Sequence, residues 1–210
     1  VKLSIPLSFP ADPGILIAEY QARRIPRHLS DMAGCFFNQA AYDALMTHTN
    51  PVIYEMYEMW EAETNADLTY GLGVIYHGKV GNELYMTRGF YRDQHEAARL
   101  FTGLRGEGVI LAQPGAGPAT VEWLREGHVV YVPPGVPHRI VNISLDSILV
   151  VSYTYAGPAV RHSLTKEALI FQKLVMDHDG KVGIIDNPRW LERSPAASHR
   201  SRRQHTAARP

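Results

Sequence analysis

A chain of 210 residues, 45% hydrophobic and 20% charged, can bury a substantial core and fits one domain with room for terminal extensions. Lysine plus arginine equals aspartate plus glutamate at 21 each, so no net charge recommends nucleic acid or a membrane surface as partner. With Cys35 the one cysteine, no internal disulfide can form, and no stretch is apolar enough to cross a bilayer as a helix, so a reducing cytoplasm is the expected setting.

The first thirty residues are rich in Pro and Arg and keep no hydrophobic period, so residues 1–37 read as an extended N-terminal arm. Cys35, beside Phe36 and Phe37, reads as a small buried side chain. Asn38 is placed to cap a short helix over 39–47, with Ala41, Tyr42, Leu45 and Met46 inward, and Asn50-Pro51 ends it. Strand signals follow at 52–57, 70–76, 84–87, 98–101, 108–112, 119–123, 128–132, 139–142 and 148–155. A late pair, 169–176 and 182–185, flanks the turn Asp177-His178-Asp179-Gly180. Short, closely spaced strands punctuated by Gly, Pro and Asn predict an all-β antiparallel barrel or sandwich over 38–190, with one short helix. The last segment, 191–210, carries Arg200, Arg202, Arg203 and Arg209, no acid after Glu192 and almost nothing apolar. Such a tail cannot offset its ordering entropy and is expected to be disordered.

One stretch is specific. Gly127, Pro133, Gly135, His138 and Asn142 stand as G-x5-P-x-G-x2-H-x3-N, which matches the second cupin motif at each defined position. A strand enters, Pro133-Pro134-Gly135 forces a tight turn, and a second strand leaves with His138 at its start. Alternate side chains of a small barrel point inward, which predicts that His138 lines the interior.

Further ordered segments extend the likeness. They are Leu29-Ser30-Asp31-Met32, Asn50-Pro51-Val52-Ile53-Tyr54-Glu55, Tyr76-His77-Gly78-Lys79, Met86-Thr87-Arg88-Gly89, Leu104-Arg105-Gly106-Glu107-Gly108 and Asp186-Asn187-Pro188-Arg189-Trp190. Over much of 27–190 the chain resembles the cupin-type glucose-6-phosphate isomerases. The resemblance implies a cupin (double-stranded β-helix, or jelly-roll) barrel, a homodimer, and interconversion of glucose 6-phosphate and fructose 6-phosphate in glycolysis and gluconeogenesis. It also implies one divalent metal, usually iron, held by an H-x-H pair, a glutamate and the motif histidine.

The metal set is where this sequence departs. Aligned without a gap, the family's paired histidines fall on Phe90 and Arg92 and its glutamate on Arg99, so only His138 remains as a ligand. No metal cofactor is therefore expected. His95 and Glu96 lie in the same segment, but bringing them to a metal with His138 would need a reshaped loop. The family's phosphate contacts are better kept, with Thr87 and Gly89 at its T-K-G element. Another family threonine is matched by Gly73, and a family tyrosine falls at Thr154 with Tyr153 and Tyr155 on either side.

Two functions stay open at this level. One is an isomerase working without metal, with His138 or Glu96 as the base. The other is a non-enzymatic cupin binding a sugar phosphate or another small acid through Thr87, Gly89, Arg92 and Arg99. An outward turn of either arginine, or pairing with Asp93 or Glu96, would weaken the second.

Overall fold

The computed structural model describes residues 8–60, 64, 67–90, 97–114, 117–157 and 170–193. His95, Glu96 and Arg92 lie outside the described residues, as does the segment after Arg193.

The alternating strands of the motif region form a jelly roll. A six-stranded sheet runs in the order β1 (Arg23–His28), β2 (Val52–Trp60), β3 (Leu68–Ile75), β11 (Leu149–Ala156), β6 (Arg99–Arg105), β9 (Val129–Val132). Facing it is a three-stranded sheet of β10 (His138–Asn142), β7 (Glu107–Ala112) and β8 (Thr120–Arg125). Bridges at Met86–Val141 and Phe90–His138 lay the segment 86–90 along the free edge of β10. From β6 to β11 the chain passes back and forth between the two sheets, with the β7–β8 hairpin kept within one, and these ladders are antiparallel. The interior is a shared core with Phe101, Val130 and Val151 from one sheet and Ile110, Leu124 and Ile140 from the other. This is the all-β cupin architecture that the sequence predicts. A smaller sheet packs outside it, in the order β13 (Lys181–Asp186), β12 (Lys173–His178), β5 (Glu83–Leu84), β4 (Lys79–Val80). Its β12–β13 hairpin turns at Asp179 and Gly180, both at positive φ (52° and 84°), the conformation that an Asp-Gly turn accommodates.

The predicted helix is present as α2 (Gln39–His48), with the Asn38 side chain accepting from the Ala41 N–H at 3.0 Å. Tyr42 is buried, and Ala41, Leu45 and Met46 pack against the core. The N-terminal arm, in contrast, is not simply extended. Residues Pro13–Tyr20 form α1, capped by Asp12 and started by Pro13, before the chain enters β1. The signal was hidden because α1 buries only Leu16, too little for a visible helical period. Leu16 and Ala22 cover Tyr57, Leu72, Val74 and Val150 on the outer face of the large sheet. β1 tolerates Pro26 because it is an edge strand. A third helix, α3 (Pro188–Arg193), also corrects the expectation of one helix; Asn187 caps it by accepting from the Arg189 N–H. Among the described residues no helix is long and apolar enough to cross a membrane.

Two buried carboxylates pin the outer elements to the barrel. Glu55 accepts from Arg24, Tyr57 and Tyr76, which fastens β1 to the sheet. Burial works to raise its pKa, but those bonds outweigh it and hold it below the ordinary value. Glu83 accepts from the Phe37 N–H at 2.7 Å, while Arg189 of α3 donates to the carbonyls of Phe36 and Phe37, so α3 and the segment before α2 close on one another. Burial pushes the Glu83 pKa up to about 7, against the Phe37 N–H and the charges of Arg139 and Arg189. A carboxyl raised from 4.5 to about 7 binds its proton more tightly in the folded state. Stability from this group is therefore present below pH 4.5 and lost as pH rises through 7. Between pH 4 and pH 8 the stability of Glu83→Gln relative to the parent should improve by about 3 kcal/mol, at about 1.36 kcal/mol per pKa unit. Urea melts at the two pH values check this; a difference that does not change with pH would contradict it.

Candidate functional site

The strand alternation of β6, β10 and β11 sets the site. Arg99 and Phe101 on β6 point inward, as do His138 on β10 and Tyr153 and Tyr155 on β11, and all five are buried. His138 opens β10 after the Pro133–Pro137 turn, where the motif predicts it. Its backbone exchanges two hydrogen bonds with Phe90, at 2.7 and 2.9 Å.

The imidazole is held in one state. Nδ1–H donates to the Val136 carbonyl at 2.8 Å, and Nε2 is buried with no hydrogen-bond partner among the described residues. Burial, then the charge of Arg99, push its pKa down to about 3, with the Val136 carbonyl opposing. His138 is thus a neutral imidazole with its Nε2 lone pair unused.

A stack runs away from it. The Phe90 ring lies 5.4 Å from the imidazole at 26°. The Arg99 guanidinium comes next, 5.0 Å from the Phe90 centroid and 4.8 Å from that of Tyr155. Tyr153 stacks on Tyr155 at 6.3 Å and 9°, and Phe101 meets the imidazole edge-on at 5.3 Å. The space left beside His138, lined by Phe90, Ala97, Arg99 and the β9–β10 turn, is about 10 Å³, close to what one water needs.

The other predicted positions fall around this stack. Arg99 is 8% exposed and faces the interior. Thr87 is fully buried, and its hydroxyl accepts from the Ile140 N–H at 3.0 Å while its own N–H pairs with the Ile140 carbonyl. In this conformation Thr87 serves strand pairing, with no surface left for a ligand. Gly89 is half-buried at φ 109°, where an added Cβ would meet the Phe171 ring at 3.2 Å. Arg92 and Glu96, and His95 with them, lie in the segment outside the described residues.

One residue escaped the sequence reading. Arg139 is fully buried behind His138, where it donates to the Met86 sulfur (3.0 Å) and the Arg88 carbonyl (3.1 Å) and lies 4.1 Å over Phe171. It organises the backbone that carries Thr87 and Gly89. Its position after the motif histidine was visible, but nothing in the pattern shows that a charged residue there turns into a protein-lined space. Tyr153 and Tyr155 were legible in part, as the residues flanking Thr154.

The residues present do not fit the divalent metal that the resemblance implies. Among the described residues no three His, Cys, Asp or Glu side chains converge. Among the described residues His138 is the imidazole that faces this interior; Phe90 stacks on it, and the Arg99 charge beside it repels a dication.

The comparisons with known proteins agree on lineage. The family described as Glucose-6-phosphate isomerase matches residues 26–189. A glucose-6-phosphate isomerase of Thermococcus gammatolerans is 39% identical over 171 residues, 80% of this chain and 88% of that protein. One from Thermococcus kodakarensis is 36% identical over 173 residues, 81% and 89% of the two chains. Among solved structures, a cupin domain of a transcriptional regulator from Enterobacter cloacae overlaps with 51% of this chain and 99% of its own. Its TM-score of 0.40 and 10% identity are too low to argue from.

The stack makes a prediction about metal. The unmodified protein should purify with well under one equivalent of Fe, Mn, Ni or Zn by elemental analysis. Phe90→His with Arg92→His and Arg99→Glu restores three imidazoles and a carboxylate and should bind one equivalent. A dialysis-resistant stoichiometric metal in the parent would overturn the reading.

Proposed function

The chain belongs to the glucose-6-phosphate isomerase family, and from that premise we propose that it acts on a sugar phosphate as a metal-independent aldose–ketose isomerase, taking glucose 6-phosphate to fructose 6-phosphate. The observation that carries the proposal is the His138 Nε2: neutral, buried and without a hydrogen-bond partner among the described residues, on the motif histidine of the fold.

The reaction removes a proton from C2 of the open-chain aldose and returns it to C1, while a proton passes from the C2 hydroxyl to O1. A neutral imidazole can carry the carbon-bound proton in both directions. A guanidinium can balance the charge that develops on the enediol oxygens. Arg99 supplies that charge from within the barrel. An imidazole with a pKa of about 3 is a weak base, but a bound phosphate dianion offsets the Arg99 charge that depresses it and raises its basicity. Gly89, in the half-buried loop beside Phe90, is the remaining phosphate contact of the family pattern. Access to His138 requires the Phe90–Arg99–Tyr155 stack to part, because about 10 Å³ does not admit a sugar.

The buried Arg99 guanidinium supports a second reading, a non-enzymatic cupin whose interior opens to hold an anionic sugar or a small acid without turning it over. A coupled isomerase assay after chelation separates the two. On the first reading turnover survives EDTA, is not raised by added Fe²⁺, and falls at least 100-fold in kcat/KM with His138→Gln. His138 is unprotonated above about pH 3, so kcat/KM should show no acid limb near 6.5 between pH 5 and 8. If turnover is absent with and without metal while inorganic phosphate still raises Tm, and Arg99→Ala abolishes that rise, the second reading holds. Absence of both effects would sink each of them.

A further inference from the structure

The free edges of β8 and β9 face one another across a cleft of about 550 Å³. In the strand ladders β8 pairs with β7 and β9 with β6, so neither edge pairs with the other. The cleft floor is apolar and nearly inaccessible, with Ile110 at 0%, Val132 at 2% and Val130 at 8% exposure. Two aromatic side chains stand at its rim, Trp123 (47% exposed) and Tyr131 (59% exposed). Among the described lining residues Glu122 is the one with a fixed charge, and none is a lysine or arginine.

We propose that this cleft is a second binding site, for a small uncharged ring compound, separate from the interior around His138. The volume lies within the range of small-molecule sites, and the lining is of their kind: apolar walls with a few polar groups, here Thr120, Glu122 and His128. The charge argues against a sugar phosphate: the lining carries one carboxylate, and Arg125, which lies 4.6 Å over the Trp123 ring outside that lining, is paired with Glu107 at 3.3 Å. The buried floor argues against a folded partner, whose surface would meet the exposed rim of Trp123, Val129 and Tyr131 and leave Ile110, Val130 and Val132 below uncovered. A small flat ring can pass the aromatic rim and rest on Val130 and Val132 below.

The two sites share a wall. Pro133 and Val136 line both the cleft and the small space beside His138, and the Val136 carbonyl is the acceptor that fixes Nδ1. A molecule seated in the cleft thus presses on the turn that sets the His138 tautomer.

N-phenyl-1-naphthylamine, which is neutral at pH 7, is the probe. Expected is a saturable rise in its fluorescence with one site per chain, excited in part by energy transfer that Trp123→Phe reduces. Ala112→Trp fills the cleft from its wall and should weaken binding at least tenfold. Thr120→Trp does so from an exposed position and keeps the test decisive if the first variant does not fold. Glucose 6-phosphate should not displace the probe, and the anionic analogue 8-anilinonaphthalene-1-sulfonate should bind more weakly. Four results would overturn the proposal: no saturable binding, affinity unchanged in both tryptophan variants, tighter binding of the anionic analogue, or loss of probe binding as a dimer forms in light scattering. The last would identify the cleft as an interface between two copies of this chain.

Discussion

Arg99 brings a permanent positive charge into the interior of a β-barrel, and much of the site is arranged around that charge. A guanidinium out of water is costly unless its surroundings compensate. Here the compensation includes the faces of two aromatic rings, Phe90 and Tyr155. The same charge helps to keep His138 neutral and makes the interior hostile to a metal ion.

Much of this was legible in the sequence. The spacing from Gly127 to Asn142 fixed the barrel and the inward His138, because a turn of prolines and glycine between two short strands leaves few other ways to fold. The positions of Phe90 and Arg99 followed from a gapless match, and the strand alternation of β6 carried Arg99 inside as expected. What the pattern could not show was how the side chains meet. That Phe90 stacks on the imidazole, or that the Thr87 hydroxyl is used by the Ile140 N–H, depends on packing between segments some fifty residues apart. The helix α1 was missed for a related reason: its one buried residue leaves no periodicity to read, although Asp12 and Pro13 are ordinary helix-start signals.

The outer shell follows a different economy from the interior. Inside, charge is balanced against ring faces; outside, the carboxylates of Glu55 and Glu83 are balanced against donors that include Arg24 and the Phe37 N–H from the N-terminal segments. Glu55 is surrounded by enough donors to stay ionised, whereas Glu83 is buried deeply enough that its ionisation is resisted. Two buried acids in one small domain thus respond to pH in opposite directions, a difference set by how strongly burial penalises each and by the hydrogen bonds that oppose it.

The clasp between Arg189 and the carbonyls of Phe36 and Phe37 spans more than 150 residues of sequence. During synthesis the barrel strands and α2 emerge long before Arg189 does, so the nascent domain can assemble while the loop at 35–37 still lacks its last donor. Closure is then a later event than barrel assembly, and it joins elements whose encounter carries a large loop entropy. A chain ending before α3 would keep its barrel strands but leave those two carbonyls without the arginine that ties them down. Docking of α3 is in this sense a seal set on a barrel that can already have formed.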